Sequence, residues 1–181
     1  MSKKIKLLIY NSLIMSHLNY CSSVWSGSPN MKELETLQKR AIRLICNKDY
    51  TEHTEPLFHQ TKTLKLQHLV ELNYLKISNN IINKKESLPI INLFSFIKVS
   101  NTRTRSNMLN LMTKPKCRTL FQQRFPQYRL PNIYNNALKS YPIKVENKMA
   151  TLTTGYKNWR FQQYSQFKCP NPKDCYSCNK K

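Results

Sequence analysis

Three cysteines in the last thirteen residues of this chain have the spacing of metal ligands. Cys169, Cys175 and Cys178 form C-x5-C-x2-C in a tail rich in Pro and Asn. Two intervening residues let a pair of thiolates face one tetrahedral ion, as in a zinc knuckle. Three thiolates leave one ligand position open, and no His or Cys follows Cys178. Cys117, a distant His or a second chain is left to complete the set; the alternative is a tail of free thiols. A second constellation is Ser16-His-Leu-Asn-Tyr-Cys-Ser-Ser-Val-Trp-Ser-Gly-Ser-Pro29, which brings together His17, Tyr20, Cys21 and Trp25. His17 and Cys21 stand four apart and would share a helical face, as a base and its nucleophile could. Neither a glycine nor a carboxylate stands beside them to support that chemistry. The segment therefore reads as a packed helix end, with a buried cysteine and a half-buried histidine.

Other catalytic chemistries lack their residues. The two aspartates, Asp49 and Asp174, are far apart, and the seven glutamates, Glu33, Glu35, Glu52, Glu55, Glu71, Glu86 and Glu146, form no cluster. Two-metal nucleotidyl transfer requires grouped carboxylates to hold its cations. Glycine occurs only at Gly27 and Gly155, which excludes the Walker loop and the dinucleotide fingerprint.

The largest compositional signal is a formal net charge of +21. Lys, Asn, Ile and Tyr share AT-rich codons, so part of the lysine content is explicable by nucleotide bias. The distribution argues for more than bias. Residues 91–181 carry 17 basic and 2 acidic side chains, against 13 and 7 in residues 1–90, and no acidic residue lies between Ser87 and Val145. Lys98, Arg103, Arg105, Lys114, Lys116, Arg118, Arg124 and Arg129 are interleaved with Phe121, Phe125 and Tyr128. Basic groups neutralise phosphates and aromatic faces stack on unpaired bases, so this stretch reads as an RNA- or DNA-binding segment. The plainer reading is a solvated loop whose aromatics pack on the helices.

The elements that must position these groups are mostly helical. Periodicity predicts a helix over about 3–20, with Ile5, Leu8, Ile9, Ser12 and Leu13 on one face. After the turn Ser26-Gly-Ser-Pro29, Asn30 and Glu33 resemble a capping box opening a helix to about Asn47. That helix carries Met31, Leu34, Leu37, Ala41, Leu44 and Ile45 at helical spacing, with Lys39, Arg40 and Arg43 on another face. A short segment, 57–61, precedes a long helix over about 64–83, with Leu66, Leu69, Leu72, Leu75 and Ile77 as core candidates. Residues 84–116 lack a helical period and read as extended. A helical piece is expected over 117–125, then a bend bracketed by Pro126 and Pro131, a helix restarting at Leu130–Leu138, and further helices over about 144–154 and 156–167. The fold class is thus mostly α: a small helical bundle at 1–83, an irregular, basic, partly helical region at 84–168, and a Cys-rich tail at 169–181.

Residues 1–15 imitate a signal peptide, but Asn11 and Ser12 interrupt the apolar run and no small-residue cleavage site follows. No stretch approaches transmembrane length. The expectation is an intracellular protein, nuclear or cytoplasmic, with no membrane partner, no small-molecule substrate and cysteines that need not pair.

Several of these motifs together resemble a known family. Leu13-Ile-Met-Ser-His-Leu-Asn-Tyr-Cys-Ser-Ser-Val-Trp25, followed by Leu37-Gln-Lys-Arg-Ala-Ile-Arg43, is similar to the region just after the palm of non-LTR retrotransposon reverse transcriptases of the jockey-like LINE type. Thr54-Glu-Pro-Leu57 and Asn101-Thr-Arg103 fit later elements of that family. Arg124-Phe-Pro126 and Ile133-Tyr-Asn135 fit its closing element, with Tyr134 where Trp is usual. The resemblance covers most of residues 5–140. It implies that Tyr20, Cys21 and Trp25 belong to a packed thumb, the helical subdomain that grips template and primer. Fingers, palm, paired aspartates and endonuclease are absent from the sequence, so the chain looks like a truncated remnant that polymerises nothing alone. Two other classes compete: a small interaction protein with a zinc-binding tail, and an inert relic.

Overall fold

A computed structural model describes residues 1–92, 94, 111–140, 149–170, 175 and 178. The chain is mostly helical, as its sequence implies, with no strand among the described residues. α1 (Lys3–Ile9) runs through a π-helical stretch (Tyr10–Met15) into α2 (Ser16–Asn19). There follow α3 (Ser22–Trp25), α4 (Met31–Cys46), α5 (Glu55–Thr61), α6 (Leu66–Ile82), α7 (Leu88–Asn92), a 3-10 turn (Gln122–Arg124), α8 (Pro126–Ser140) and α9 (Met149–Ser165). Among the described residues, no helix is long and apolar enough to cross a membrane.

The chain divides into two compact units, and neither follows the expected consecutive division. The first comprises Met1–Cys21, Pro29–Leu69 and Lys157–Lys181; the second comprises Ser22–Ser28 and Val70–Tyr156.

In the first unit Tyr10, Ile42, Ile45, Leu57, Phe58 and Tyr164 form the core, with Leu7, Met15, Ala41, Cys46 and Phe161 packed against it. Each such large apolar side chain contributes about 1.5–3 kcal/mol when fully buried. The apolar face expected of the first helix is not the buried one: Ile5, Leu8, Ile9 and Leu13 are exposed. The π-helical stretch explains this. Its wider turn puts positions five apart on one side, so Leu7, Tyr10 and Met15 face the core, with the Tyr10 hydroxyl donating to Met15 Sδ at 3.2 Å.

The buried face of α4 is displaced in a similar way. Gln38, Ile42 and Ile45 are buried, whereas Leu37 and Leu44 are exposed. A polar side chain decides this register. Gln38 donates Nε2 to Tyr10 Oη and to the Leu64 carbonyl, both at 3.0 Å, and accepts the Leu66 N–H at 2.8 Å. It thereby satisfies a free amide at the start of α6. The expected capping box is absent, because Asn30 makes no side-chain capping bond to α4. At the other end Asn47 takes the left-handed conformation that closes a helix (φ 52°). There Lys6 Nζ donates to Leu44 O and Asn47 Oδ1.

In the second unit the core candidates of α6 are buried at Leu72 and Leu75, and Ile77 is half-buried; Leu66 and Leu69, in the first unit, are buried as well. Ser22–Ser28 is held by three bonds: Asn73 Nδ2 to Ser22 Oγ at 2.7 Å, Tyr74 Oη to the Ser23 carbonyl at 2.6 Å, and Arg129 Nη1 to Ser26 Oγ at 2.7 Å. Gly27 is required there, since a Cβ would lie 2.7 Å from the Arg124 carbonyl oxygen.

Three boundaries in this half differ from expectation. Leu88–Asn92 is helical inside the stretch read as extended. Within 117–125 only Gln122–Arg124 is helical, as a 3-10 turn. Pro126 and Pro131 do not bracket a bend: Pro126 opens α8, where a missing N–H costs nothing, and Pro131 lies buried inside it. Buried Asn135 imitates a paired strand, accepting the Met112 N–H at 3.0 Å and donating to the Met112 carbonyl at 2.9 Å. The two helices expected over 144–154 and 156–167 are one helix through Gly155; residues 144–148 lie outside the described residues.

Candidate metal centre

The geometry of the tail cysteines begins with α4. Arg43 donates Nε to the Glu52 carbonyl at 2.9 Å, and Arg40 and Arg43 lie 5.6 and 5.5 Å from the Tyr50 ring centroid. These contacts order the 47–54 loop. The residue after Glu52 is His53. α5 then begins at Glu55, with Pro56 in its first turn, which fixes the exit of the loop.

The opposite wall comes from α9. Its C-terminal half inserts Phe161 and Tyr164 at the first unit's core, and it ends at Ser165. Phe167 then lies against the His53 imidazole, with centroids 5.2 Å apart and planes at 55°. From there the chain passes to Cys169. The Cys178 N–H donates to the Cys175 carbonyl at 3.1 Å, a turn that brings both thiols to one side.

Cys175 Sγ stands 3.1 Å and Cys178 Sγ 3.7 Å from His53 Nε2. With Cys169 they make a group of four whose ligand atoms all lie within 4.8 Å of one another, and each residue is half-buried. Such a group could hold a metal ion. The Cys178 thiol is pushed up to about 11 by desolvation first, and then by the Cys169 and Cys175 sulfurs beside it. A cation reverses that cost, since thiolates crowded in one place are stabilised by charge of the opposite sign.

The position left open by the sequence is thus filled in this group by His53, and Cys117 is not a member of it. Of the four histidines, His59 lies within α5 and His68 within α6, and His17 is exposed in α2. His53 is the one in a loop entering a helix, a weak signal that spacing alone does not rank above the others.

Beside this centre, His68 is held in the first unit by Tyr164, whose ring stacks at 5.5 Å and whose hydroxyl hydrogen-bonds His68 Nδ1. Burial, aided by the Arg160 and Lys65 charges, lowers the His68 pKa to about 3. Lys65 also bonds Glu55 at 2.6 Å. Burial opposes the charge on that carboxylate, but the Lys65 hydrogen bond and charge help to hold its pKa below the usual range. These groups satisfy one another.

The other sequence-derived residues divide. Tyr20 is 76% exposed and Cys21 is exposed at φ +45°, so neither is part of a packed core; the chain turns outward where α2 ends. Trp25 is half-buried. Lys114, Lys116, Arg118 and Arg124 are exposed, as a phosphate-facing role requires. Arg129 is placed differently. Half-buried, with its guanidinium on Ser26 and 5.5 Å from the Tyr74 ring centroid, it holds the Ser22–Ser28 segment instead. Lys98, Arg103, Arg105 and Asp174 lie outside the described residues. Comparison with protein-family models, with curated proteins and with solved structures found no match to this chain.

Proposed function

We propose that this protein is a zinc-closed helical module that binds nucleic acid, descended from the post-palm region of a LINE-type reverse transcriptase and without polymerase activity of its own. The observation that carries the metal half is the convergence of His53 with Cys169, Cys175 and Cys178. A Cys3His set is a closed structural zinc donor set, and tetrahedral zinc requires S···N separations of about 3.5 Å. The distances of 3.1 and 3.7 Å bracket that value. Zinc would serve here as a cross-link between the 47–54 loop and the tail. All four positions are filled by protein, which favours a structural role over a catalytic one.

Charge supports the nucleic-acid half. The second unit carries 14 Lys and Arg against 3 Glu, and two of those, Glu71 and Glu86, accept internal bonds from Tyr156 and Asn80. Exposed Lys114, Lys116, Arg118 and Arg124 are the contacts proposed, together with Lys98, Arg103 and Arg105. Each phosphate neutralised releases condensed counterions, so seven contacts to a single strand give a slope of log K against log salt of about −5.

A gel-shift titration at several salt concentrations, alongside metal analysis of protein purified without chelator, tests both halves. Stoichiometric zinc with salt-sensitive binding supports the module. Zinc with metal-dependent oligomers and no nucleic-acid binding replaces it with an interaction protein, and neither zinc nor binding leaves an inert relic.

A further inference from the structure

The second unit displays an aromatic groove with exposed rings in its walls. The groove has a volume of 350 Å³, and its walls include Val24, Trp25, Phe121, Arg124, Phe125 and Pro126. Phe121 is 67% and Phe125 47% exposed, and Leu120 beside them is 75% exposed. Rings are usually withdrawn from water, and an exposed apolar patch of this kind marks an interaction site.

The groove is built rather than fortuitous. The 3-10 turn Gln122–Arg124 separates Phe121 and Phe125 by four residues, setting their rings edge to face at 5.2 Å and 87°, with Arg124 between them in sequence. The opposite wall, Val24 to Ser28, is tied down by the Tyr74 and Arg129 bonds to Ser23 and Ser26. Gly27 lets that wall approach the Arg124 carbonyl closely. A platform fixed in this way loses little entropy when a ligand enters.

Charge selects the occupant. Arg124 lines the groove, Lys116 and Arg118 precede it as exposed cations, and no carboxylate occurs in residues 87–145. A second copy of this chain would bring like charge. A polyanion carrying flat apolar rings matches both features. In a duplex those rings are stacked inside; in a single strand their faces are free.

We propose that Trp25, Phe121 and Phe125 form a stacking platform for unpaired bases of single-stranded nucleic acid, with Arg124 on the adjoining phosphate. This rests on the nucleic-acid reading above and deepens it, because it states which form of the polymer the module prefers and where the bases go.

The chain has two tryptophans, Trp25 and Trp159, so in the full-length, zinc-loaded Trp159→Phe protein the indole emission reports on the groove. A single-stranded oligonucleotide and a duplex of the same sequence are titrated at several salt concentrations. The single strand is expected to quench Trp25 and the duplex to leave it unchanged. Stacking is worth about 1–3 kcal/mol per base, so Phe121→Ala with Phe125→Ala should weaken single-strand binding roughly 10–100-fold. Duplex affinity should stay within about twofold. Both rings are exposed, so the fold should persist; Phe121→Leu, which keeps an apolar side chain and removes the ring face, gives the same reading if the double variant is unstable. Arg124→Ala should flatten the single-strand salt slope by about 0.7.

Equal quenching by duplex, or equal weakening of both forms in the ring variants, overturns the platform while leaving nucleic-acid binding intact. A concentration-dependent dimer that the ring variants abolish assigns the groove to self-association and also overturns it. Failure of the parent protein to bind either form at low salt removes the nucleic-acid reading itself.

Discussion

His53→Ala is the sharpest perturbation of the metal centre, because it removes one ligand and leaves three cysteines close in sequence. Those three would still be expected to hold zinc, so two effects separate. The first is affinity. Structural zinc sites carry about 10–16 kcal/mol, so losing a quarter of the ligand set costs roughly 3–4 kcal/mol, or 10²–10³-fold in Kd. The second effect is on the fold. His53 is separated by 122 residues from Cys175 and by 125 from Cys178. Cross-linking a loop of that length removes about 5 kcal/mol of chain entropy from the unfolded state, which is the ceiling on what this ligand adds. For a chain of this size that ceiling corresponds to a rise in Tm of about 10–20 °C on adding zinc. His53→Ala should abolish the rise although zinc still binds. Competition against a chromophoric chelator measures the affinity, and circular dichroism with and without zinc measures Tm. A variant whose Tm responds to zinc as the parent does, or which binds zinc as tightly, would show that His53 is not a ligand.

Three further outcomes follow from groups described above. Gln38→Leu strips partners from the Leu64 carbonyl, the Leu66 N–H and the Tyr10 hydroxyl; it should destabilise the chain by about 2–4 kcal/mol, read as a lower urea midpoint with unchanged slope. The buried Tyr134 hydroxyl has no hydrogen-bond partner among the described residues, and burial pushes its pKa up to about 12. Tyr134→Phe should therefore stabilise by about 1 kcal/mol, and a lowered midpoint would mean the hydroxyl is satisfied. His68, depressed to about 3 by burial first and then by Arg160 and Lys65, stays neutral in the folded chain while the unfolded chain protonates near 6.5. Its contribution is full above pH 6.5 and is lost as pH falls from there towards 3. Between pH 6.5 and 4.5 the loss should be about 2 kcal/mol in zinc-free protein. His68→Phe should flatten that dependence, and an unchanged pH profile would show that the histidine titrates normally.

Which residues form the long helices was largely legible, because α4 and α6 follow apolar periodicity and turn residues. Which face they bury was not. A π-helical turn re-registered the first helix, and α4 rotated to bury Gln38, whose amide answers backbone groups that no sequence window contains. Local proline logic also failed at α8. The rule that a helix tolerates proline in its first turn pointed to Pro131, whereas Pro126 takes that place and packing tolerates Pro131 within. At the metal centre the three cysteines were visible from spacing, since their chelation is local. His53 was not, because only the folded path of α4, its loop and α9 brings it to them. Arg129 was counted among phosphate contacts on composition; its bond to Ser26 and its stack on Tyr74 belong to tertiary structure.

The interleaving of the two units has a consequence for the order in which the protein is made. Residues 1–21 and 29–69 leave the ribosome before residues 157–181, and until those emerge their core lacks Phe161 and Tyr164, and the candidate metal centre lacks all three thiols. At about 5–20 residues per second, synthesis of the intervening stretch keeps that core open for roughly 4–20 s. The second unit lacks no segment of its own once Tyr156 has been added. Completion of the first unit's core thus waits for residues 157–181, its last segment in chain order. A chain elongated only as far as Tyr156 would contain every residue of the second unit and none of the first unit's last segment.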